Sequence, residues 1–124
     1  MQNCNQYESA PIKNGQPAIW QEVIRNLEGR IDVPTSLLHD MAERDKFGTQ
    51  KYGTPLQPFN GRDPIIDAYQ EALDLVVYTK QAVLESARDP KHWRISPKNP
   101  QLEMIYLSAV QCAINLRQVL DSRG

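Results

Sequence analysis

The chain has 124 residues, with 14 Lys and Arg set against 15 Asp and Glu and a formal net charge of −1. A chain this short makes one domain with a modest core, for which sharing a face with a second copy is a natural remedy. The balanced charge and the absence of any Lys/Arg-rich run speak against nucleic-acid binding through a basic field. No stretch approaches ~18 uninterrupted apolar residues, so no membrane span is expected. The opening MQNCNQYESA lacks an apolar signal core, and a cytoplasmic protein is expected. Cys4 and Cys112 lie outside any CxxC pattern. They read as a thiol in a loose tail and a thiol in a helix core, not as a disulfide or a zinc site.

Residues 1–17 are polar, contain two prolines and end in KNGQP. They read as an arm that either orders over a substrate or stays loose, ahead of a single helical domain over 18–124. From Ala18 to Leu27, the residues Ile19, Trp20, Val23, Ile24 and Leu27 recur at helical spacing, and Gly29 closes the segment. Pro34 fits the first turn of a second helix, capped by Thr35 or Ser36 and running to about Phe47. Leu37, Leu38 and Met41 are its apolar contribution. The stretch GTQKYGTPLQPFNGR over 48–62 reads as a long loop, and loops of this length in compact domains are usually lids or binding segments.

Asp63-Pro64 pairs a capping acceptor with a proline at the first helical position and opens a helix to about Arg88. A Pro-punctuated connection, DPKHWRISPKNP, follows. The last helix, about Pro100 to Asp121, places Leu102, Ile105, Tyr106, Ala109, Cys112, Ala113, Leu116 and Leu120 on one stripe. No stretch of period two competes, and the fold class is all-α.

On a wheel of ~100° per residue the third helix sets Asp67, Glu71 and Asp74 on one line, continued by Tyr78 and Glu85. Ala68, Ala72, Leu75, Ala82 and Val83 lie to one side, and Ile66, Leu73, Val77 and Leu84 to the other. A partly buried row of like charges costs several kcal/mol unless something compensates it. Protonation would do so, as would arginines from another helix or a hard divalent cation held by oxygen ligands. The second helix offers Asp40 and Glu43 one turn apart. Alone these form an ordinary charged surface; beside the acidic third helix they complete a multi-ion cage of the kind helical bundles build.

Asp40-x-x-Glu43 followed by Glu71-x-x-Asp74 resembles the ExxE…ExxD signature of the MazG-like nucleoside triphosphate pyrophosphohydrolases. The string RDKFGTQKYGTPLQPFNGRDPIIDAYQEALDLVVY resembles the phage-encoded, MazZ-like branch of that family. The likeness covers about residues 34–87 and is most specific from Lys46 to Tyr78. It implies a MazG-like helical bundle completed by homodimerisation, as a dimer or tetramer, in the cytoplasm of a host cell if phage-encoded. It also implies hydrolysis of a (deoxy)nucleoside triphosphate, purine deoxynucleotides (dGTP, dATP) preferred, to monophosphate and pyrophosphate. In that chemistry two or three Mg²⁺ or Mn²⁺ ions held by Asp40, Glu43, Glu71 and Asp74 activate a water for attack at the α-phosphorus. Glu43 or Asp67 orients that water. The family's first motif is EExxE; His39-Asp40-x-x-Glu43 departs from it, so the first-helix ligands stay open, with Asp45 an alternative to Glu43.

Cationic contacts to the phosphates fall to Lys46, Lys51 and Arg62, which bracket the loop. Asn60-Gly61-Arg62 either approaches the sugar or phosphate or makes the turn into the helix cap. Trp20 either stacks on a purine, with Asn14 reading its edge, or packs in the core. Tyr52 and Phe59 either cover a base or tuck inward as loop anchors. His39 and His92 lack zinc spacing. The competing readings are a non-catalytic nucleotide-binding dimer, a di-iron bundle lacking its Glu-x-x-His motifs, and a nucleic-acid adaptor without a supporting charge pattern.

Overall fold

The computed structural model describes residues 10–86, 88–89, 94–95 and 99–123. They form four helices and one pair of two-residue strands, and they fall into two compact units, within Tyr7–Arg62 and within Asp63–Gly124. The expectation of an all-α chain holds. Among the described residues no helix is long and apolar enough to cross a membrane.

In the first unit, α1 (Ile19–Leu27) packs on α2 (Thr35–Tyr52). Ile19, Trp20, Val23, Ile24 and Leu27 are half-buried while Gln21, Glu22, Arg25 and Asn26 are exposed, the expected amphipathic division. The Glu28 N–H bonds the Ile24 carbonyl, and Gly29 follows at φ +82°. Two details of α2 differ from the sequence expectation. Its N-cap is Pro34, with no side-chain cap bond, so neither Thr35 nor Ser36 caps it. It also runs past Phe47 to Tyr52. Gly48 does not end it, because one interior glycine costs only about 1 kcal/mol while the backbone bonds continue. The helix stops at Gly53, which takes φ +74° and donates its N–H to the Thr49 carbonyl at 2.9 Å.

In the second unit, α3 (Pro64–Ser86) packs on α4 (Pro100–Asp121). The Asp63 carboxylate caps α3, accepting the Ile65 and Ile66 N–H groups at 3.0 and 3.3 Å. The same carboxylate pairs with the Arg123 guanidinium just beyond α4. Further along the seam Arg117 lies 5.6 Å from the Tyr69 ring centre and Lys80 lies 5.0 Å from that of Tyr106. Each step forward on α3 matches an equal step back on α4, so the helices run antiparallel in one register. Ile66, Ala72 and Thr79 of α3 and Ala109 and Leu120 of α4 are buried. The Thr79 hydroxyl is satisfied by its own helix, donating to the Leu75 carbonyl at 2.7 Å. Asn99 caps α4 through the Gln101 and Leu102 N–H groups.

The expected α4 stripe is narrower than its wheel. Leu102, Tyr106, Ala113 and Leu116 are half-buried, but Ile105 and Cys112 are exposed. One partner helix covers a limited arc of its neighbour, and Ile105 and Cys112 fall at its margin. Cys112 is therefore not a core thiol; Cys4 and His92 lie outside the described residues. In the connection, Arg88–Asp89 (β1) pairs antiparallel with Arg94–Ile95 (β2).

Candidate functional site

Asp67, Glu71 and Asp74 follow one another at one-turn spacing along α3. Asp67 is half-buried, while Glu71 and Asp74 are exposed, turned away from the seam that buries Ala72 and Thr79. The expectation that all three sit in a partly buried row is therefore corrected for the single chain: α4 occupies the other side of the helix. The flanks are as expected only in part, since Ile66 and Ala72 are buried and Ala82 and Val83 half-buried. Leu73, Val77 and Leu84 line one side of the row and Leu75 the other, all exposed, with Tyr78 continuing the line at 66 % exposure. Among the described residues neither Glu71 nor Asp74 has a hydrogen bond or ion pair.

The α2 carboxylates divide in two. Asp40 and Glu43 are exposed and, among the described residues, unpaired. Asp45 lies on the half-buried line with Leu38 and Met41 and accepts the Thr49 hydroxyl at 3.4 Å. Asp45 thus serves its own helix, while Asp40 and Glu43 face outward. His39 is exposed beside them. Carboxylate oxygens one turn apart, without cationic partners, suit hard divalent ions in their donor chemistry. Among the described residues no three His, Cys, Asp or Glu side chains gather into a ready-made metal cage.

The loop that follows α2 is built, not loose. Thr54, Gln57 and Asn60 are its buried residues, and all three are polar. Gln57 Nε2 donates to the carbonyls of Asn14 at 2.7 Å and Gln16 at 2.8 Å. Its Oε1 accepts the Asn14 N–H at 3.1 Å and the Thr54 hydroxyl at 3.3 Å. Asn14 Nδ2 donates in return to the carbonyls of Pro58 and Phe59, both at 2.9 Å, and its Oδ1 accepts the Gln16 N–H. Backbone bonds from Ile12 to Asn60 and from Ile19 to Leu56 complete the strap. Residues 12–16 of the expected arm are therefore fixed to residues 54–60.

The remaining site candidates are placed by this frame. Both Asn14 amide hydrogens are committed to the loop. Asn60 is buried, and its Oδ1 accepts the Arg62 N–H at 3.1 Å, which is the turn alternative expected from the sequence. Gly61 follows at φ +86°, and the Ile12 side chain lies within 3.4 Å of where its Cβ would stand. Lys46 and Lys51 are exposed at either end of the last α2 turns, Lys51 lying 5.2 Å from the Tyr52 ring centre. Arg62 is half-buried, as is Trp20 on α1. Tyr52 and Phe59 do not tuck inward: they are 53 % and 87 % exposed. Sequence reasoning misses Gln57 altogether, since its partners lie more than forty residues away.

At Asp63 the Arg123 guanidinium holds the carboxyl below its ordinary value, aided by the Ile65 and Ile66 N–H groups. At Asp32 the neighbouring Arg30 acts in the same direction. Comparison of the chain with protein-family models, with curated proteins and with solved structures returns no match.

Proposed function

We propose that the chain is a metal-dependent nucleoside triphosphate pyrophosphohydrolase of MazG-like type. It would convert a (deoxy)nucleoside triphosphate, with purine deoxynucleotides preferred, to the monophosphate and pyrophosphate. One observation carries the reading: among the described residues Glu71 and Asp74 stand unpaired in a like-charged row, with the exposed Leu73, Val77 and Leu84 on one side and the exposed Leu75 on the other. A surface meant only for water would intersperse lysines there, and a surface meant only for packing would carry no acids. Acids without cationic partners among apolar neighbours suit a site that meets a multivalent cation and is shielded from water.

The ligands in this proposal are Glu71 and Asp74 on α3 and Asp40 and Glu43 on α2. The Mg²⁺ or Mn²⁺ ions they would hold supply charge neutralisation for the triphosphate and acidify a bound water. Asp67 or Glu43 accepts a hydrogen bond from the attacking water and aims it at the α-phosphorus. Lys46, Lys51 and Arg62 supply compensating positive charge for phosphate oxygens. Asn14 and Asn60, whose amides serve the loop, contribute by fixing its shape and not by reading a base edge. Trp20 belongs to the packed face of α1.

The uncovered apolar side chains of the α3–α4 hairpin suggest a homo-oligomer. On the side that carries the Lys80–Tyr106 contact, Leu73, Val77 and Leu84 stand beside Leu107 and Ile114, all exposed. A second copy meeting this face would make a four-helix arrangement and exclude water beside the acidic row.

The test is turnover of each common dNTP and NTP with Mg²⁺ or Mn²⁺ in ¹⁸O-labelled water. The expected products are monophosphate carrying the label and unlabelled pyrophosphate. Orthophosphate with a diphosphate product would overturn the α-phosphorus mechanism. Tight nucleotide binding with no product would replace the enzyme by a nucleotide-sensing module.

A further inference from the structure

Three positions in residues 53–61 take a left-handed backbone: Gly53 at φ +74°, Phe59 at φ +57° and Gly61 at φ +86°. Two are glycine, the residue for which that conformation is free of Cβ strain. The third is an aromatic residue, for which it is a genuine outlier. The phenyl ring gains nothing in packing from the arrangement, since Phe59 is 87 % exposed. Glycine or asparagine at 59 would relieve the backbone and remove an apolar ring from water together. The chain instead carries both costs, and it carries them on the best-braced part of the loop. Asn14 clamps the carbonyls of Pro58 and Phe59, and buried Gln57 ties Asn14 in turn. Strain held by an over-determined frame clusters at active sites, ligand clamps and switch segments.

The ligand chemistry follows from what accompanies the ring. From Lys46 to Arg62 the sequence holds three cations and no carboxylate, the bounding Asp45 being bonded by the Thr49 hydroxyl and Asp63 paired with Arg123, and Tyr52 presents a second half-exposed ring. A planar apolar face within a locally cationic stretch matches a molecule that is aromatic at one end and polyanionic at the other. We infer that Phe59 is a stacking platform for the base of a nucleotide, held rigid by the Asn14–Gln57 frame. This rests on the proposed function and assigns the base-binding part of its site.

The experiment compares the wild type with Phe59→Gly, Phe59→Asn and Phe59→Trp, using two probes in Mg²⁺. One probe is α,β-methylene dGTP, which carries a base and resists cleavage; the other is inorganic tripolyphosphate, which has none. Phe59→Gly and Phe59→Asn are expected to weaken the nucleotide analogue about tenfold or more, the scale of one lost base–aromatic stack. Tripolyphosphate affinity and sedimentation should not change, melting temperature should hold or rise, and Phe59→Trp should bind the analogue at least as well as wild type. Equal loss for both probes, or a lowered melting temperature, would make Phe59 structural and overturn the inference. A change of oligomeric state with unaltered affinity would make it a contact between copies and overturn the inference equally. If the wild type turns over dGTP and Phe59→Gly binds the analogue equally well, this inference falls alone. If the wild type neither binds nor hydrolyses nucleotide, it falls together with the function on which it rests.

Discussion

Replacing Gln57 by Ala tests whether the strap between residues 12–16 and the loop is a structural unit. The side chain is 6 % exposed and makes four hydrogen bonds, two donated to the Asn14 and Gln16 carbonyls and two accepted from the Asn14 N–H and the Thr54 hydroxyl. Counting only the two shortest bonds, at 2.7 and 2.8 Å, at ~1 kcal/mol net each, with about 1 kcal/mol for desolvation of the Asn14 N–H left behind, the loss comes to about 3 kcal/mol. That corresponds to an approximately hundredfold rise in the population with the strap open. Opening exposes the Lys13–Asn14 bond, so the assay is limited tryptic digestion, followed by mass spectrometry of the fragment that begins at Asn14. While opening and closing outrun cleavage, the rate of appearance reports that population directly. Far-UV circular dichroism should stay unchanged, because no helix owns the lost bonds. A rate within threefold of wild type would refute the reasoning. Gln57→Glu sharpens the test. A carboxylate cannot donate to the two carbonyls, and burial against their oxygens raises its folded-state pKa. The variant should therefore be most easily cleaved at neutral pH and regain protection as pH falls and the carboxyl becomes a donor.

Four further outcomes are expected. Glu71→Gln or Asp74→Asn should abolish pyrophosphate release while helical content and melting temperature hold or rise, since each removes a like charge from the row; wild-type turnover in either would sink the assigned ligands. Leu120, 2 % exposed, should cost about 2–4 kcal/mol when cut to Ala, read by urea titration; a loss below ~1 kcal/mol would mean the site collapses freely. Asp63 is held below its ordinary value of 3.8 by Arg123, so its contribution is complete above that value and disappears as pH falls through the lower folded one. Arg123→Gln should flatten the acid limb of the stability profile there, and parallel profiles would refute the linkage. The proposed pairing expects the wild type to sediment as an oligomer and Leu107→Lys combined with Leu73→Lys as a monomer; a monomeric wild type would refute the pairing, and an unchanged oligomer would place the contact elsewhere.

How far the sequence can be read depends on the range of the interaction that decides each feature. The start of α3 is fully legible because Asp63 and Pro64 act within one turn. The amphipathic line of α1 is legible for the same reason. The end of α2 is not legible at Gly48, where a single unfavourable residue is outweighed by backbone bonding continued to Gly53. Ile105 and Cys112 fall outside the core because a wheel gives the direction of a stripe and not the width that one neighbour covers. The acidic row shows the same division: its line and its apolar flanks follow from spacing, and its exposure within one chain does not.

The strap lies at the far end of that scale. Nothing local distinguishes Gln57 from Gln50 or Gln70, and only a partner forty residues away makes it a buried girder. The Asn60-Gly61 pair announces a turn, yet the turn's strain falls one residue earlier, on Phe59, because the Asn14 clamp on two successive carbonyls orients that peptide. Long-range polar contacts thus decide where a loop puts its one costly aromatic. If that cost is functional, the arm before α1 belongs to the site without touching a ligand: Asn14→Ala should weaken α,β-methylene dGTP toward the level of Phe59→Gly while sparing tripolyphosphate. Full affinity in Asn14→Ala, with the strap shown open by cleavage at Lys13, would separate the loop's rigidity from its chemistry.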